Sequence, residues 1–247
     1  MDWFDCNVGY GIARVPPAGG FAATPEELLE ELGFCGVAEA LVTHAAIRDE
    51  SAQAGNRLVA EETSAHPRLH PIWAILPPQA GELGSVGDFL SDMRQHGVKA
   101  LLAYPDEHRY LLNGLTLGPL LEEITARRIP LILGPKWAAL TALLAEFPNL
   151  VVIVVGHGSW GEDRYYRPLM ERYPGFHVDT ANYALDGGVK AAVDRYGPER
   201  LLYGSGFPEL QMGGSLLMVA QADVSEEAKA AIAGGNLRRL LAEVKLS

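Results

Sequence analysis

The chain has 247 residues, 48% of them apolar and 21% charged, with a formal net charge of −11. That is the balance of a globular protein able to bury a core, and the acidic surplus excludes a sequence-independent nucleic-acid surface, which needs clustered Lys and Arg. No run reaches the roughly 18 consecutive apolar residues of a membrane span, and the opening MDWFDCNVGYG has neither a basic n-region nor an apolar h-region, so neither a membrane nor a nucleic-acid partner is expected and the expected location is cytoplasmic.

Taken in chain order, DWFDCNV (2–8) predicts a first strand. TPEELLEELG (24–33) predicts a helix, with Leu28, Leu29 and Leu32 on one stripe, Thr24 as cap, Pro25 at the first position, Glu26 and Glu27 at the positive end and Gly33 as its stop. Cys35 falls between this helix and the next strand, as a buried residue; with only Cys6 beside it there is no disulfide framework and no CxxC spacing. Strands follow at VAEALVT (37–43), HPIWAIL (70–76) and VKALLAY (98–104), and a helix at 117–130. A strand at PLIL (130–133), a helix at 137–148 and strands at LVVIVVG (150–156) and FHVDT (176–180) come next. A helix at 185–198, a strand at RLLYGS (200–205) and a helix at 225–244 complete the order.

Strands written as continuous apolar runs suit a parallel sheet buried on both faces, and eight of them alternating with helices predict a (β/α)8 TIM barrel, one domain over residues 1–247. The rival is an open doubly wound sheet, but no Gly-x-Gly-x-x-Gly follows the first strand, and the glycines of GYG (9–11) lead into loop.

Barrel enzymes gather their functional groups at the C-terminal ends of the strands. Those ends offer Cys6, Asn7 and Gly9; His44; Tyr104 and Asp106; Gly134, Lys136 and Trp137; His157, Ser159 and Trp160; Asp179, Asn182 and Tyr183; Ser205 and Gly206. His157 and Asp179 are the candidate acid–base pair, and Cys6 is a candidate nucleophile if a histidine lowers its pKa. Asn7, Lys136, Trp137, Trp160, Asn182, Tyr183 and Ser205 are candidate substrate contacts, Lys136 for an anionic group. Each has a plainer reading: His157 stabilising a turn, Cys6 as a small buried hydrophobe, the rest as loop packing. His177 shares a face with Asp179 and reads as structural, while His66, His70, His96 and His108 read as surface or turn residues. Cys6, His44, His157 and Asp179 are legitimate zinc ligands, but nothing in their spacing demands a metal site.

Three segments, AEFPNLVVIVVGHGSW (145–160), RLLYGSGFP (200–208) and GGNLRRLL (234–241), resemble the amidohydrolase-related branch of the metal-dependent amidohydrolase superfamily. The resemblance implies a (β/α)8 hydrolase, lactonase or decarboxylase acting on small molecules through a divalent metal. The family's first strand ends in Asp-x-His-x-His, where this chain reads Asp5-Cys6-Asn7-Val8-Gly9. Gly134 stands for the fifth-strand histidine and Gly206 for the eighth-strand aspartate, so of the family's metal-site residues only His157 remains. Glycine supplies neither ligand atom nor base, so the expectation is that metal-dependent hydrolysis is lost, with no cofactor, and that a pocket for a small carboxylated molecule or an assembly role is kept. Gly134 and Gly206 should then open space where ligands stood. The competing expectation is an active hydrolase, lactonase or decarboxylase using His157 and Asp179. Gly213-Gly214-Ser215 followed by LLMVAQA reads as a homo-oligomer face or as packing on the barrel.

Overall fold

Each of the eight apolar runs forms a strand: β1 (Trp3–Tyr10), β2 (Val37–His44), β3 (Leu69–Ala74), β4 (Ala100–Ala103), β5 (Leu131–Leu133), β6 (Val152–Val154), β7 (Phe176–Asp179) and β8 (Leu201–Leu202). The computed structural model describes residues 1–17, 20–158, 161–183 and 187–246. Consecutive strands pair in parallel from β1 through to β8, in chain order. The residues after β8 close the ring: Cys6 N donates to Tyr203 O at 2.9 Å, Gly206 N to Asn7 O at 3.0 Å and Gly9 N to Phe207 O at 2.7 Å. A Cβ at Gly9 would lie 3.3 Å from the Pro208 ring, so this seam packs as tightly as it does because residue 9 has no side chain. The predicted (β/α)8 barrel is the fold.

The helices α1 (Pro25–Cys35), α2 (Ala45–Asp49), α3 (Ala52–Thr63), α4 (Val86–Gln95), α5 (Gly114–Ala126), α6 (Trp137–Glu146), α7 (Asp163–Arg172) and α8 (Gly188–Tyr196) connect the strands. After β8 come α9 (Met212–Ala220), α10 (Glu226–Ala230), a π-helical turn (Ala231–Gly235) and α11 (Asn236–Ala242). Thr24 caps α1 as expected, its side chain accepting from Glu27 N. The stop is misplaced in the sequence reading: Gly33 lies inside the helix, and Gly36, with φ 74°, ends it by donating to the carbonyls of Gly33 and Leu32. A left-handed residue just past the last turn is what satisfies orphan carbonyls, and Gly36, not Gly33, takes that conformation. Cys35 is consequently the last residue of α1 and is half-buried instead of buried.

All residues of β4, β5 and β6 are buried, which is why these strands carry no polar alternation. Along α9, Met212, Ser215 and Val219 pack inward while Leu217 is exposed. Among the described residues no helix is long and apolar enough to cross a membrane.

Candidate functional site

Two carboxyls sit fully buried at the centre of the C-terminal end, Asp5 on β1 and Asp179 at the end of β7. Asn7 ties them together: its backbone N donates to Asp5 Oδ1 at 3.0 Å and its side-chain Nδ2 donates to Asp179 Oδ2 at 3.1 Å. Ser205 N adds a second bond to Asp5 Oδ1 at 3.0 Å, and Gly156 N donates to Asp179 Oδ1 at 3.2 Å. The Ser205 hydroxyl accepts from Phe207 N at 3.1 Å. Asp5 Oδ2 is buried without a hydrogen-bond partner among the described residues.

Burial outweighs these donors. It pushes the Asp5 carboxyl up to about 7, against the pull of the Ser205 and Asn7 bonds and with a further push from Asp179. Asp179 is raised for the same first reason, with His157 and Asn7 opposing. Burial therefore disfavours the ionised form of both carboxyls, and donors from the chain itself occupy Asp5 Oδ1 and both Asp179 oxygens, so they form a structural cluster.

His157, 1% exposed, meets the backbone: Nε2 lies 3.0 Å from Asp179 O and Nδ1 3.2 Å from Gly158 O. Its ring packs at 5.2 Å from Tyr166 and edge-on at 5.7 Å from Tyr183. His157 and Asp179 are thus neighbours, but the histidine touches the aspartate's carbonyl and not its carboxyl. Cys6 is fully buried, and burial followed by the charges of Asp179 and Asp5 pushes its thiol well up, away from thiolate character. Tyr183 is buried, its hydroxyl donating to Gly188 O at 3.4 Å, and Asn182 is half-buried just beyond β7.

The catalytic and substrate candidates therefore divide. Asn7 and Ser205 bond Asp5, Asn7 also bonds Asp179, and His157 meets the Asp179 carbonyl, while Lys136 and Trp137 stand apart on the rim. Lys136 is exposed and ion-paired with Asp106, and Trp137 stacks on Tyr165 at 5.5 Å. Trp160 lies outside the described residues.

The open part of the mouth lies over β1, β2 and β4 as a cavity of about 80 Å³ whose lining includes Asn7, Tyr10, His44, Arg48, Tyr104 and Glu209. His44 caps α2 by accepting from Ala46 N at Nδ1, 3.1 Å, which leaves Nε2 as the ring's N–H. Burial lowers its pKa against the pull of Glu62 and Glu50. Arg48 is held by Asp49 Oδ1 at 2.9 Å and Glu209 Oε1 at 3.3 Å, and burial pushes the Tyr104 hydroxyl up to about 12. This corner thus gathers the Nε2 N–H of His44, the Tyr104 hydroxyl and an arginine partly committed to carboxylates. His44 and Tyr104 were visible as strand-end residues, whereas Arg48 and Asp5 were not singled out; the signals were an arginine in the short helix directly after a strand, and an aspartate inside an apolar run.

The positions of the family's metal ligands do not fit a divalent ion. Asn7's amide is committed to Asp179, Gly9 faces Pro208, and His157 faces two carbonyls. Gly134 does leave open space, with no atom within 4 Å of a Cβ built there. Gly206 does not: a Cβ there would meet Leu210 at 3.2 Å and Ala181 at 3.3 Å, so neighbouring side chains have filled the room an aspartate would need. Among the described residues no group of three or more His, Cys, Asp or Glu converges as metal ligands would.

Comparison with solved structures places the fold among known barrels. An uncharacterised TIM-barrel protein, Bb4693 from Bordetella bronchiseptica, superposes with a TM-score of 0.77 at 19% identity, covering 98% of this chain and 99% of that one. The 5-carboxyvanillate decarboxylase of Sphingomonas paucimobilis gives 0.74 at 15% identity, over 99% and 100% of the two chains. A probable 2-pyrone-4,6-dicarboxylic acid hydrolase from Acinetobacter baumannii gives 0.72 at 12% identity, over 98% and 100%. At such identities the likeness establishes the fold alone. A search of curated proteins finds no match. The family model for amidohydrolases, in contrast, aligns with residues 5–242, from the buried aspartate of β1 to the end of α11, and on that extent the chain belongs to the amidohydrolase family.

Proposed function

We propose that this amidohydrolase-family barrel has lost the family's metal-dependent hydrolysis and uses the corner beside Arg48 and His44 to hold a small carboxylate. The observation that carries the first half is the commitment of the ligand positions to other work: the Asn7 amide bridges to Asp179, and Gly206 is crowded by Leu210 and Ala181. Supporting the second half, a cavity of about 80 Å³ suits an anion of a few heavy atoms, far below the roughly 300–1,000 Å³ of sites for larger ligands. The competing acid–base reading needs His157 to reach the Asp179 carboxyl, and its Nε2 is instead beside the Asp179 carbonyl.

The test is plasma mass spectrometry on tag-free protein dialysed against zinc or manganese, with calorimetric titration of acetate alongside. Expected are less than about 0.1 equivalent of metal, and acetate binding abolished by Arg48→Met. Retention of about one equivalent, lost in His157→Ala, overturns the first half; acetate binding indifferent to Arg48 overturns the second.

A further inference from the structure

The larger opening is at the other end of the barrel. A cavity of about 350 Å³ lies at the N-terminal end, lined among others by Arg128, Gly175, His177, Arg200 and Arg239. Three guanidinium groups thus meet at one hollow of a protein whose net charge is −11. Their compensation is incomplete. Arg128 and Arg239 share a single carboxylate, Glu243, at 2.6 and 3.2 Å. Arg200 spends its N–H groups on backbone carbonyls, those of Met170 and Tyr173 at 2.8 Å each and that of Pro174, so it closes the end of α7 without meeting a counter-ion there. Glu199 is the carboxylate on the lining itself, and its charge offsets part of Arg200's, leaving two carboxylates against three arginines.

The buried member of the lining registers the resulting field. His177, 3% exposed, has Nδ1 3.0 Å from Gly175 O, and burial followed by the charge of Arg200 holds its pKa down at about 4, with Arg239 adding to the effect. Arg200 itself is lowered by burial and by Arg239. Positive groups that depress one another around a hollow form an electrostatic environment that an anion relieves, and guanidinium forks match phosphate oxygens in pairs.

We propose that this N-terminal cavity is a binding site for a dianionic phosphate group, held by Arg239 and Arg128, with the committed Arg200 contributing its charge and His177 on the wall. Its volume accommodates the phosphate of a small phosphomonoester together with part of the organic body. The site is independent of the reading given to the opposite mouth and stands or falls separately.

Isothermal titration of the full-length protein with inorganic phosphate and with glycerol 3-phosphate, against chloride at matched ionic strength, tests it. Binding with a Kd below about 1 mM is expected for at least one of the two, tighter for glycerol 3-phosphate if the organic body contributes and tighter for free phosphate if it does not. Arg239→Gln should weaken it at least about tenfold, and Arg195→Gln, an exposed arginine outside the cavity, should not change it. Glu243→Gln, which releases Arg128 and Arg239 from their shared carboxylate, should tighten binding several-fold, a gain that a purely structural role for these arginines does not produce. No binding beyond the chloride control, or equal affinity in wild type and Arg239→Gln, overturns the proposal.

Discussion

The two ends of the barrel use the same strands and treat charge in opposite ways. At the C-terminal end two carboxyls are sealed from water, tied through Asn7 and Ser205, and the remaining opening is about 80 Å³. At the N-terminal end three arginines surround about 350 Å³, and two of them lean on one glutamate. In this fold the C-terminal end is where chemistry is ordinarily placed. The contrast teaches that the fold supplies two rims, and that what each can hold depends on whether its charged groups have been satisfied from within the chain.

The comparison breaks most sharply at Asp179. Asp179→Ala removes the acceptor of the Asn7 amide and of Gly156 N inside a dry site, and stability should fall by about 3 kcal/mol in denaturant unfolding. A loss under about 1 kcal/mol means that the cluster is not the internal tie described here.

Next comes the pH dependence of Asp5. With a folded pKa of about 7 against an ordinary 3.8, the folded chain keeps a proton that the unfolded chain releases, so this group's contribution to stability falls as pH rises from about 4 to 7 and is flat above. His177, at about 4 when folded against 6.5, works oppositely, raising stability as pH climbs from 4 to 6.5. Asp5→Asn removes only the first effect. The variant should therefore gain about 2 kcal/mol on wild type between pH 5 and pH 8, measured by urea unfolding at both. A variant that loses ground at pH 8 shows that the native site favours the carboxylate.

Two glycines sharpen the picture at smaller amplitude. Gly206→Ala combines a φ of 72° with contacts at 3.2 and 3.3 Å, and should cost about 1–2 kcal/mol. Gly134→Ala meets nothing within 4 Å and should stay within about 0.5 kcal/mol. If the two are equal, the claim that one ligand position has been refilled and the other left open is lost.

Much of the fold was legible in the sequence. Apolar-rich runs located every strand, most plainly β4, β5 and β6, where burial on both faces leaves no polar alternation to misread. The end of α1 was not legible to the residue, since two glycines, Gly33 and Gly36, stand near it and only the backbone conformation tells them apart. In the candidate site, strand-end position identified Asn7, His157, Asp179 and Ser205, which do assemble. It also nominated Lys136 and Trp137, which turn to Asp106 and Tyr165 on the rim, because periodicity reports which end of a strand a residue occupies and says nothing of the direction taken by a loop side chain. Asp5 was matched to the first-strand pattern but given no role, because nothing in the sequence shows the two backbone donors that hold it. The arginines of the N-terminal cavity are spread along the chain from Arg128 through Arg200 to Arg239, and no local pattern joins them.

The seam between Gly9 and Phe207-Pro208 bears on the reversibility of this protein's history. In the family pattern residue 9 is a histidine, but here the ring of Pro208 stands 3.3 Å from where its Cβ would begin, and Gly9 N is bonded to Phe207 O. Restoring that histidine would first require the Pro208 ring to give way at the barrel's closing junction, before any other ligand was present to offset the cost. On the proposed loss of metal-dependent hydrolysis, a return by single steps would pass through less stable intermediates that bind nothing, so that loss would behave as a ratchet.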